Sequence, residues 1–202
     1  FSWHFLLYIA FLLCLSCSCY AQRAKIDSLK RALLFQQDSI LVDGLNVLSL
    51  AYSYLQVDTA DAYAQRAYRD AVNMHYQRGL VMALNNQAHI AGYALNNFPA
   101  QEKISLETIP LATGIKDKRV LADTYMNLAL ALFCQSHFDR SAEACRMIIN
   151  LAQETGDKKG MGEALAVLGS ISFESGNYEK SFEYFNKSLE VFTNSGDSYN
   201  KA

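Results

Sequence analysis

Few side chains in this sequence are of the types that catalyse reactions or bind metals, and those few are widely spaced along the chain. None of the four histidines lies four residues from another or beside a cysteine, as paired ligands or a cysteine–histidine pair would. They are His4, His75, His89 and His137. The chain has no glycine-rich phosphate loop, GxSxG or HExxH. Its carboxylates fall on predicted outer helix faces, where solvation is the usual role. We therefore predict a protein that is not an enzyme, with no catalytic residue, metal site or cofactor.

Composition excludes several classes of protein. The 202 residues are 51% hydrophobic and 19% charged, and the formal net charge is −2. A near-neutral balance is not that of a strongly basic nucleic-acid binder. Two prolines and ten glycines are too few for a disordered chain. The sequence therefore predicts one domain or one repeat array, with no nucleic-acid partner.

Residues 1–21 predict an export signal. They contain no Lys, Arg, Asp or Glu, and the apolar run Phe5–Leu15 has the length of a signal-peptide core. Small residues at Cys19 and Ala21 place cleavage between Ala21 and Gln22. We therefore predict a periplasmic or otherwise exported protein. The alternatives are an uncleaved membrane anchor in the same segment and, with weaker support, a lipoprotein.

Three of the five cysteines lie in that leader, which leaves Cys134 and Cys145. They form no CxxC motif, so they predict neither a metal nor a redox site. An exported location permits a disulfide. Because Cys145 falls on an apolar helical face, its pattern favours a small buried hydrophobic residue instead.

From Asp38 onward the sequence repeats itself with a period of about 40 residues, which is typical of a solenoid. Pairs 40 residues apart are Leu128 and Leu168, Ala129 and Gly169, Phe138 and Tyr178, and Ser141 and Ser181. Within a unit, apolar residues spaced by three or four predict two amphipathic helices. Small residues recur where the paired helices must approach each other closely. In the last unit the break between the helices falls at Gly176.

This pattern predicts an all-α fold, a right-handed α-solenoid of antiparallel helix pairs. Residues 1–21 are assigned to the leader and residues 22–37 to an N-terminal capping helix with Ile26, Leu29 and Leu33 on one side. Residues 38–202 are assigned to four helical pairs and the start of a fifth. A cap is expected because the first unit of an array otherwise exposes its apolar face.

The repeated residues resemble the tetratricopeptide repeat, whose pattern includes Leu-Gly, an aromatic residue, and Gly-x-Tyr-x-x-Ala. The last unit carries Leu168, Gly169, Phe173, Gly176, Tyr178, Ser181 and Phe185 at these places. The third unit carries Leu128, Ala129, Phe133, Phe138 and Ser141. The period of 40 rather than 34 implies longer helices than the family standard. The second unit is irregular, because it contains Gly92 and a longer loop before Phe98, and Pro110 should kink or end its second helix.

The leader, the entry helix and the long repeats together resemble the periplasmic input regions of Bacteroidota signalling proteins. That resemblance implies one alternative function: the N-terminal sensory part of a histidine kinase or transcriptional regulator. The first interpretation is an exported, non-catalytic scaffold that binds a protein or a peptide. A membrane is predicted as a partner only through the leader or through sequence beyond these residues.

A tetratricopeptide array usually holds its partner on the concave face, which the first helices line. The side chains predicted on this face are Asn46, Asn85, His89, Met126, Phe133 and Ser170. Asparagine can pair with a peptide N–H and C=O at once, and methionine offers adaptable apolar contact. For Asn46 and Asn85, packing between repeats is an equally good interpretation. The Lys and Arg residues that clamp chaperone carboxylates in other arrays are replaced here by Asn, Ser or apolar residues.

Overall fold

The computed structural model of the chain describes residue 24 and residues 26–33 and 38–194. The predicted leader and cleavage site, and the predicted start of a fifth unit, lie outside the described residues. The α-helices from residue 38 onward are α1 Asp38–Tyr52, α2 Val57–Asn73, α3 Gln77–His89, α4 Phe98–Gly114, α5 Lys118–Cys134, α6 Phe138–Thr155, α7 Lys158–Glu174 and α8 Tyr178–Asn194. A π-helix, Ile90–Ala94, follows α3 directly. The predicted all-α solenoid fold is confirmed.

Polar side chains and glycines mark the helix boundaries. Asn97, Asp117 and Asp157 each accept a hydrogen bond from a backbone N–H in the first turn of the helix that follows. Such caps satisfy donors that have no partner within the helix. Gly156 ends α6 at a φ of 70°, and Gly176 turns the chain after α7 at a φ of 75°. This left-handed conformation carries little penalty for glycine, so both turns follow directly from the sequence.

Small residues lie where the two helices of a unit approach each other. The Ser141 hydroxyl donates to the carbonyl of Ala129 at 2.8 Å, and both residues are fully buried. In the next unit, a Cβ on Gly169 would lie 2.9 Å from the ring of Phe185. Leu128, Leu168 and Ser181 are also buried, and Phe138 is half-buried.

The last described helix leaves its outer side uncovered by the rest of the described chain. Tyr178, Phe182, Phe185 and Leu189 follow one another along α8 and are 65%, 70%, 41% and 50% exposed. In the preceding unit, the residues of α6 that stand 40 positions earlier are buried or half-buried, because α7 packs against that helix. The exposure of Tyr178 and Phe185 therefore reflects their place at the end of the described array.

Asparagine side chains connect the first helices of successive units. Asn46 donates to the carbonyl of Gly79 at 3.0 Å, and Asn86 donates back to the carbonyl of Asn46 at 2.9 Å. One unit further, Asn85 donates to the carbonyl of Val120 at 3.2 Å. A buried amide needs such partners, so these hydrogen bonds fix how each unit sits on the next.

The irregular second unit contains a π-helix where its neighbours continue as α-helix. Gly92 lies in it, and a Cβ there would collide with the carboxamide of the buried Gln101 in α4. Of the two predicted effects of Pro110, the end of the helix is excluded, because α4 continues to Gly114, and the kink stays a prediction. Leu106, whose carbonyl loses its usual donor, is 44% exposed, and Pro110 is exposed as well. Water can satisfy that carbonyl, so this helix tolerates the proline.

The array curves because its inner helices are closer together than its outer ones. α1, α3, α5 and α7 contact one another in succession, whereas no contact joins the backbones of α2, α4, α6 and α8 to one another in the described residues. The first helices therefore line the concave side. At the N-terminal end, residues 26–33 are helical; Ile26 is buried there, and Leu33 packs against Gly44. No helix among the described residues is long and apolar enough to span a membrane.

Candidate functional site

The concave groove begins with a stripe of exposed side chains on α1. Val47, Leu50 and Tyr54 follow at spacings of three and four, and they are 49%, 46% and 54% exposed. Tyr54 lies in the turn just after the helix. Leu45 and Leu48, on the opposite side of α1, are buried. This stripe is an apolar surface that no other described residue covers, on the side where the array is concave.

Three rings from two units form a cluster next to this stripe, which we call the aromatic cluster: Tyr54, His89 and Tyr93. The ring centroids of Tyr54 and Tyr93 are 4.9 Å apart, and those of Tyr54 and His89 are 5.5 Å apart. His89 and Tyr93 stack with a centroid distance of 5.3 Å and an angle of 8°. Tyr93 belongs to the π-helix and is 60% exposed, so the irregular turn presents this ring to solvent.

Two buried polar atoms beside the aromatic cluster lack a hydrogen-bond partner. They are Oδ1 of Asn85 and Nε2 of His89, one helical turn apart on α3. Asn85 is only 7% exposed, and its amide nitrogen donates a hydrogen bond to the carbonyl of Val120. Desolvation holds the pKa of His89 below its usual value, so the imidazole is neutral at pH 7. A neutral imidazole and a carboxamide oxygen can both accept a hydrogen bond.

Two carboxylates of the third and fourth units, Asp123 and Glu163, interact electrostatically. Asp123 has an exposed position on α5, and desolvation by the surrounding protein is the main cause that raises its pKa to about 6. Desolvation also raises the pKa of Glu163. Lys159 lies 3.6 Å from Glu163 and lowers the pKa of both groups. Because both pKa values remain raised, this lysine compensates the two carboxylates incompletely.

The two ends of the groove also face each other. Desolvation is the main cause of the raised pKa of Tyr54, and the charges of Tyr93, Lys159 and Glu163 act on it too. Tyr54 follows α1, whereas Lys159 and Glu163 belong to α7, and the backbones of these two helices are not in contact. Curvature of the array therefore brings the aromatic cluster within electrostatic range of Glu163.

An ionic cluster at one edge of the groove connects three units. Arg78 in α3 lies 2.8 Å from Asp117, at the start of α5, and 3.3 Å from Asp43 in α1. The Tyr76 hydroxyl donates to Asp43 at 3.0 Å. The pKa of Arg78 is raised, chiefly by its hydrogen bond with Asp117. Because these charged groups pair with one another, they stabilise the packing of the three units and are not available to bind a ligand.

The structure divides the predicted groove residues. His89 lies in the aromatic cluster and Asn85 beneath it, as described above. Asn46 is 1% exposed, and its amide is used in packing between the first two units. That environment matches the packing interpretation of Asn46. The side-chain nitrogen of Asn85 also takes part in packing between units, whereas its side-chain oxygen has no hydrogen-bond partner.

The other three predicted residues, Met126, Phe133 and Ser170, are half-buried and have contacts of their own. Met126 and Phe133 are half-buried against the core of the third and fourth units, where Phe133 packs on Phe138 at 5.8 Å. Ser170 is half-buried and donates to the carbonyl of Ala166 in its own helix.

The sequence interpretation missed six residues of this site: Val47, Leu50, Tyr54, Tyr93, Asp123 and Glu163. Tyr54 and Tyr93 are 39 residues apart, and Asp123 and Glu163 are 40 apart, so the repeat register itself could have identified both pairs. The neglected signals were an aromatic residue recurring just after the first α-helix of a unit and an acidic residue recurring within it.

The described residues hold no cluster of three or more His, Cys, Asp or Glu side chains that could bind a metal ion. Cys134 is exposed and Cys145 is buried, and both thiols are free. Burial raises the pKa of Cys145 to about 12. An open depression elsewhere, between α5 and α6, includes Tyr125, Arg140 and Met147 among its lining residues. It lies outside the groove, and none of the unpartnered atoms belongs to it.

The fold and groove define the class of this protein as an α-solenoid of helix pairs with an open inner surface. Residues 120–201 match the tetratricopeptide repeat family. Residues 120–201 therefore carry tetratricopeptide repeats, and the predicted resemblance to this family is confirmed. The similarity to Bacteroidota signalling proteins stays a prediction.

Solved structures resemble the whole array. BtubC (BKLC) from P. vanneervenii matches with a TM-score of 0.65 and 17% identity, over 90% of this chain and 77% of that one. Aspartyl phosphate phosphatase F from Bacillus subtilis matches with a TM-score of 0.72 and 18% identity, over 89% of this chain and 50% of that one. A signal transduction ATPase with a tetratricopeptide repeat sensor, from Pyrococcus horikoshii, matches with a TM-score of 0.67 and 16% identity, over 85% and 27%.

At these identities the likeness shows the fold alone. This chain spans half the length of the Bacillus phosphatase and about a quarter of the Pyrococcus ATPase. No curated protein sequence matches it.

Proposed function

We propose that this protein binds a peptide or an extended protein segment in the concave groove. The observation that carries the proposal is the uncovered apolar stripe of Val47, Leu50 and Tyr54, which continues into the aromatic cluster. Exposed apolar surface of this kind is typical of an interaction site. A tetratricopeptide array is an interaction scaffold in general, which supports a protein partner. We also propose that the protein is non-catalytic, because tetratricopeptide repeat proteins are in general scaffolds without catalytic activity.

The test uses peptides selected from a random displayed library on the purified chain. We expect Leu50→Asp to weaken binding of the selected peptides by about tenfold, because it places a charge in the apolar stripe. Met147→Asp is the matched control. Met147 is 41% exposed and lies in the outer depression, whereas Leu50 is 46% exposed and lies in the groove. Thermal melting checks that both variants are folded. Equal binding by both variants would place the binding surface outside the groove.

Export is a further part of the proposal, and it rests on the composition of residues 1–21. Mass spectrometry of the protein from the producing cell should show a chain that begins at Gln22. A chain that retains the leader and sediments with membranes would instead support an anchored protein.

A sensory input module of a membrane signal transducer is the second candidate. Likeness to the Pyrococcus protein, which is described as having a tetratricopeptide repeat sensor, favours it. The discriminating observation is the coding sequence that follows Ala202. A membrane span followed by kinase or helix-turn-helix motifs would support the sensor, and a stop codon after a polar helix would support the scaffold.

A further inference from the structure

Two buried polar atoms without a hydrogen-bond partner, next to an exposed aromatic cluster, are the unusual feature of this groove. In residues 38–194 the buried side-chain polar atoms without a partner are Oδ1 of Asn85 and Nε2 of His89. Leaving a buried polar atom unpaired is unfavourable, so two on adjacent turns need an explanation. A bound group that donates hydrogen bonds would supply what the Asn85 oxygen lacks, and it would also pair with His89 Nε2 in the tautomer that carries its proton on Nδ1.

The charged side chains around this site indicate that the bound group is positively charged. Asp123 and Glu163 are both partly desolvated, and Lys159 is the cation that acts on both. Its distance of 3.6 Å from Glu163 is longer than a direct hydrogen bond, and its own side chain is 66% exposed. An additional cation in the groove would therefore be stabilised by both carboxylates.

We infer that the groove takes an arginine side chain of the bound peptide. Its guanidinium group would have the rings of Tyr54 and Tyr93 on one side and the carboxylates of Asp123 and Glu163 on the other. This inference rests on the proposed peptide-binding function and names the residue type that the peptide presents.

The chemistry of the guanidinium group matches each part of this site. It is planar and stacks on aromatic rings, and it is attracted to their π faces. It carries five N–H donors and no acceptor, which suits Asn85 Oδ1, His89 Nε2 and the carboxylates. A lysine ammonium is a compact, strongly hydrated charge that cannot stack in this way, so arginine fits better. The bound arginine would compete with Lys159 for Glu163.

The first experiment compares two probes on the full chain. They are the pentapeptide Ac-Ala-Ala-Arg-Ala-Ala-NH2 and its citrulline counterpart, which keeps the shape and loses the charge. We expect the arginine peptide to shift the NMR signals of His89 and Tyr93 and to bind about tenfold more tightly than the citrulline peptide. Equal affinities, or shifts confined to other surfaces, would overturn the inference.

Charge variants supply the second experiment. Glu163→Gln should weaken binding of the arginine peptide several-fold, whereas Glu183→Gln, an equal loss of charge on exposed α8, should leave it unchanged. Lys159→Met should tighten binding, because it removes the competing cation. Unchanged or weaker binding of the arginine peptide by Lys159→Met would contradict the inference, because Lys159 would then not compete with the bound arginine for Glu163.

Failure of this inference can be told apart from failure of the proposed function. If library peptides depend on Leu50 but contain no arginine and ignore Glu163→Gln, the groove binds peptides and the arginine assignment is wrong. If no selected peptide responds to Leu50→Asp, the proposed function itself is wrong.

Discussion

The side-chain amide of Asn127 donates a hydrogen bond to the backbone carbonyl of Asn85 at 3.1 Å and so joins the first helices of the second and third units. Both residues are 7% exposed. Asn86 makes the equivalent bond to Asn46 one unit earlier. The fourth unit has Val167 forty residues after Asn127, so this link does not recur there. Polar contacts therefore set the spacing of the inner helices in the first three units.

Asn127→Ala should lower the free energy of unfolding by about 1–2 kcal/mol, because it removes a buried hydrogen bond between units. Urea denaturation followed by circular dichroism measures the change. Asn186→Ala, on the exposed side of α8, is the control and should change the stability by no more than about 0.5 kcal/mol. Equal effects of the two substitutions would show that the link contributes nothing.

Gly92→Ala should destabilise the protein by about 1–3 kcal/mol, because the added methyl group collides with the buried Gln101 side chain. Gly114→Ala is the matched control, since a Cβ there meets nothing within 4 Å. Shortening Gln101 to Ala in the Gly92→Ala background should recover part of the lost stability. A Gly92→Ala protein as stable as the wild type would mean that Gln101 moves aside freely.

Acid should destabilise the array partly through Asp117. Burial alone would raise the pKa of this carboxyl, but hydrogen bonds from Arg78 and the backbone hold it below its usual value. A depressed folded-state pKa contributes stability above the unfolded value of about 4, and that stability is lost as pH falls further. Arg78→Met should therefore lower the melting temperature at pH 7 and flatten its acid dependence.

The control for that prediction is Arg66→Met, which removes an exposed pair with Asp70 within α2. Pairs of this kind contribute about 0.3–0.5 kcal/mol, so the acid profile should stay nearly unchanged. An identical profile for Arg78→Met would show that the three-unit ionic cluster does not stabilise the fold.

Asp123 should have the opposite pH dependence. Its folded-state pKa of about 6 exceeds the unfolded value, so its contribution to stability is present below about pH 4 and lost as pH rises through 6. The groups that act on it are Asp117, Asp157, Lys159 and Glu163. Carboxyl-carbon NMR should find its titration near pH 6, and Asp123→Asn should remove that signal. Titration near pH 4 would show that the groove is fully hydrated there.

The two thiols should differ in reactivity. Cys134 is exposed, although desolvation raises its pKa as well, whereas deeper burial raises the pKa of Cys145 to about 12 and shields the thiol. Iodoacetamide at neutral pH followed by peptide mapping should modify Cys134 and leave Cys145 intact until the protein is unfolded, because the thiolate is the reactive form. Equal labelling in the folded state would require opening of the α5–α6 pair.

The sequence by itself determined the solenoid and most of its turns. Helical periodicity and the 40-residue register depend on local spacing, which the primary structure displays directly. Gly156 and Gly176 mark turns because left-handed backbone favours glycine. Burial of Ser141 and Ser181 follows from the same register.

Only the tertiary structure decided how the groove is assembled. Tyr54, Tyr93 and Glu163 come from three units, and their approach depends on the curvature that accumulates along the array, which no local pattern encodes. The structure also assigned the amide of Asn46 to packing and left the oxygen of Asn85 unpaired, because that choice depends on which backbone carbonyl the next unit presents. A similar reason applies to Pro110, which has no N–H to donate to the carbonyl of Leu106. Whether the missing hydrogen bond destabilises the helix depends on access of water to that carbonyl, and this access is a property of the folded chain.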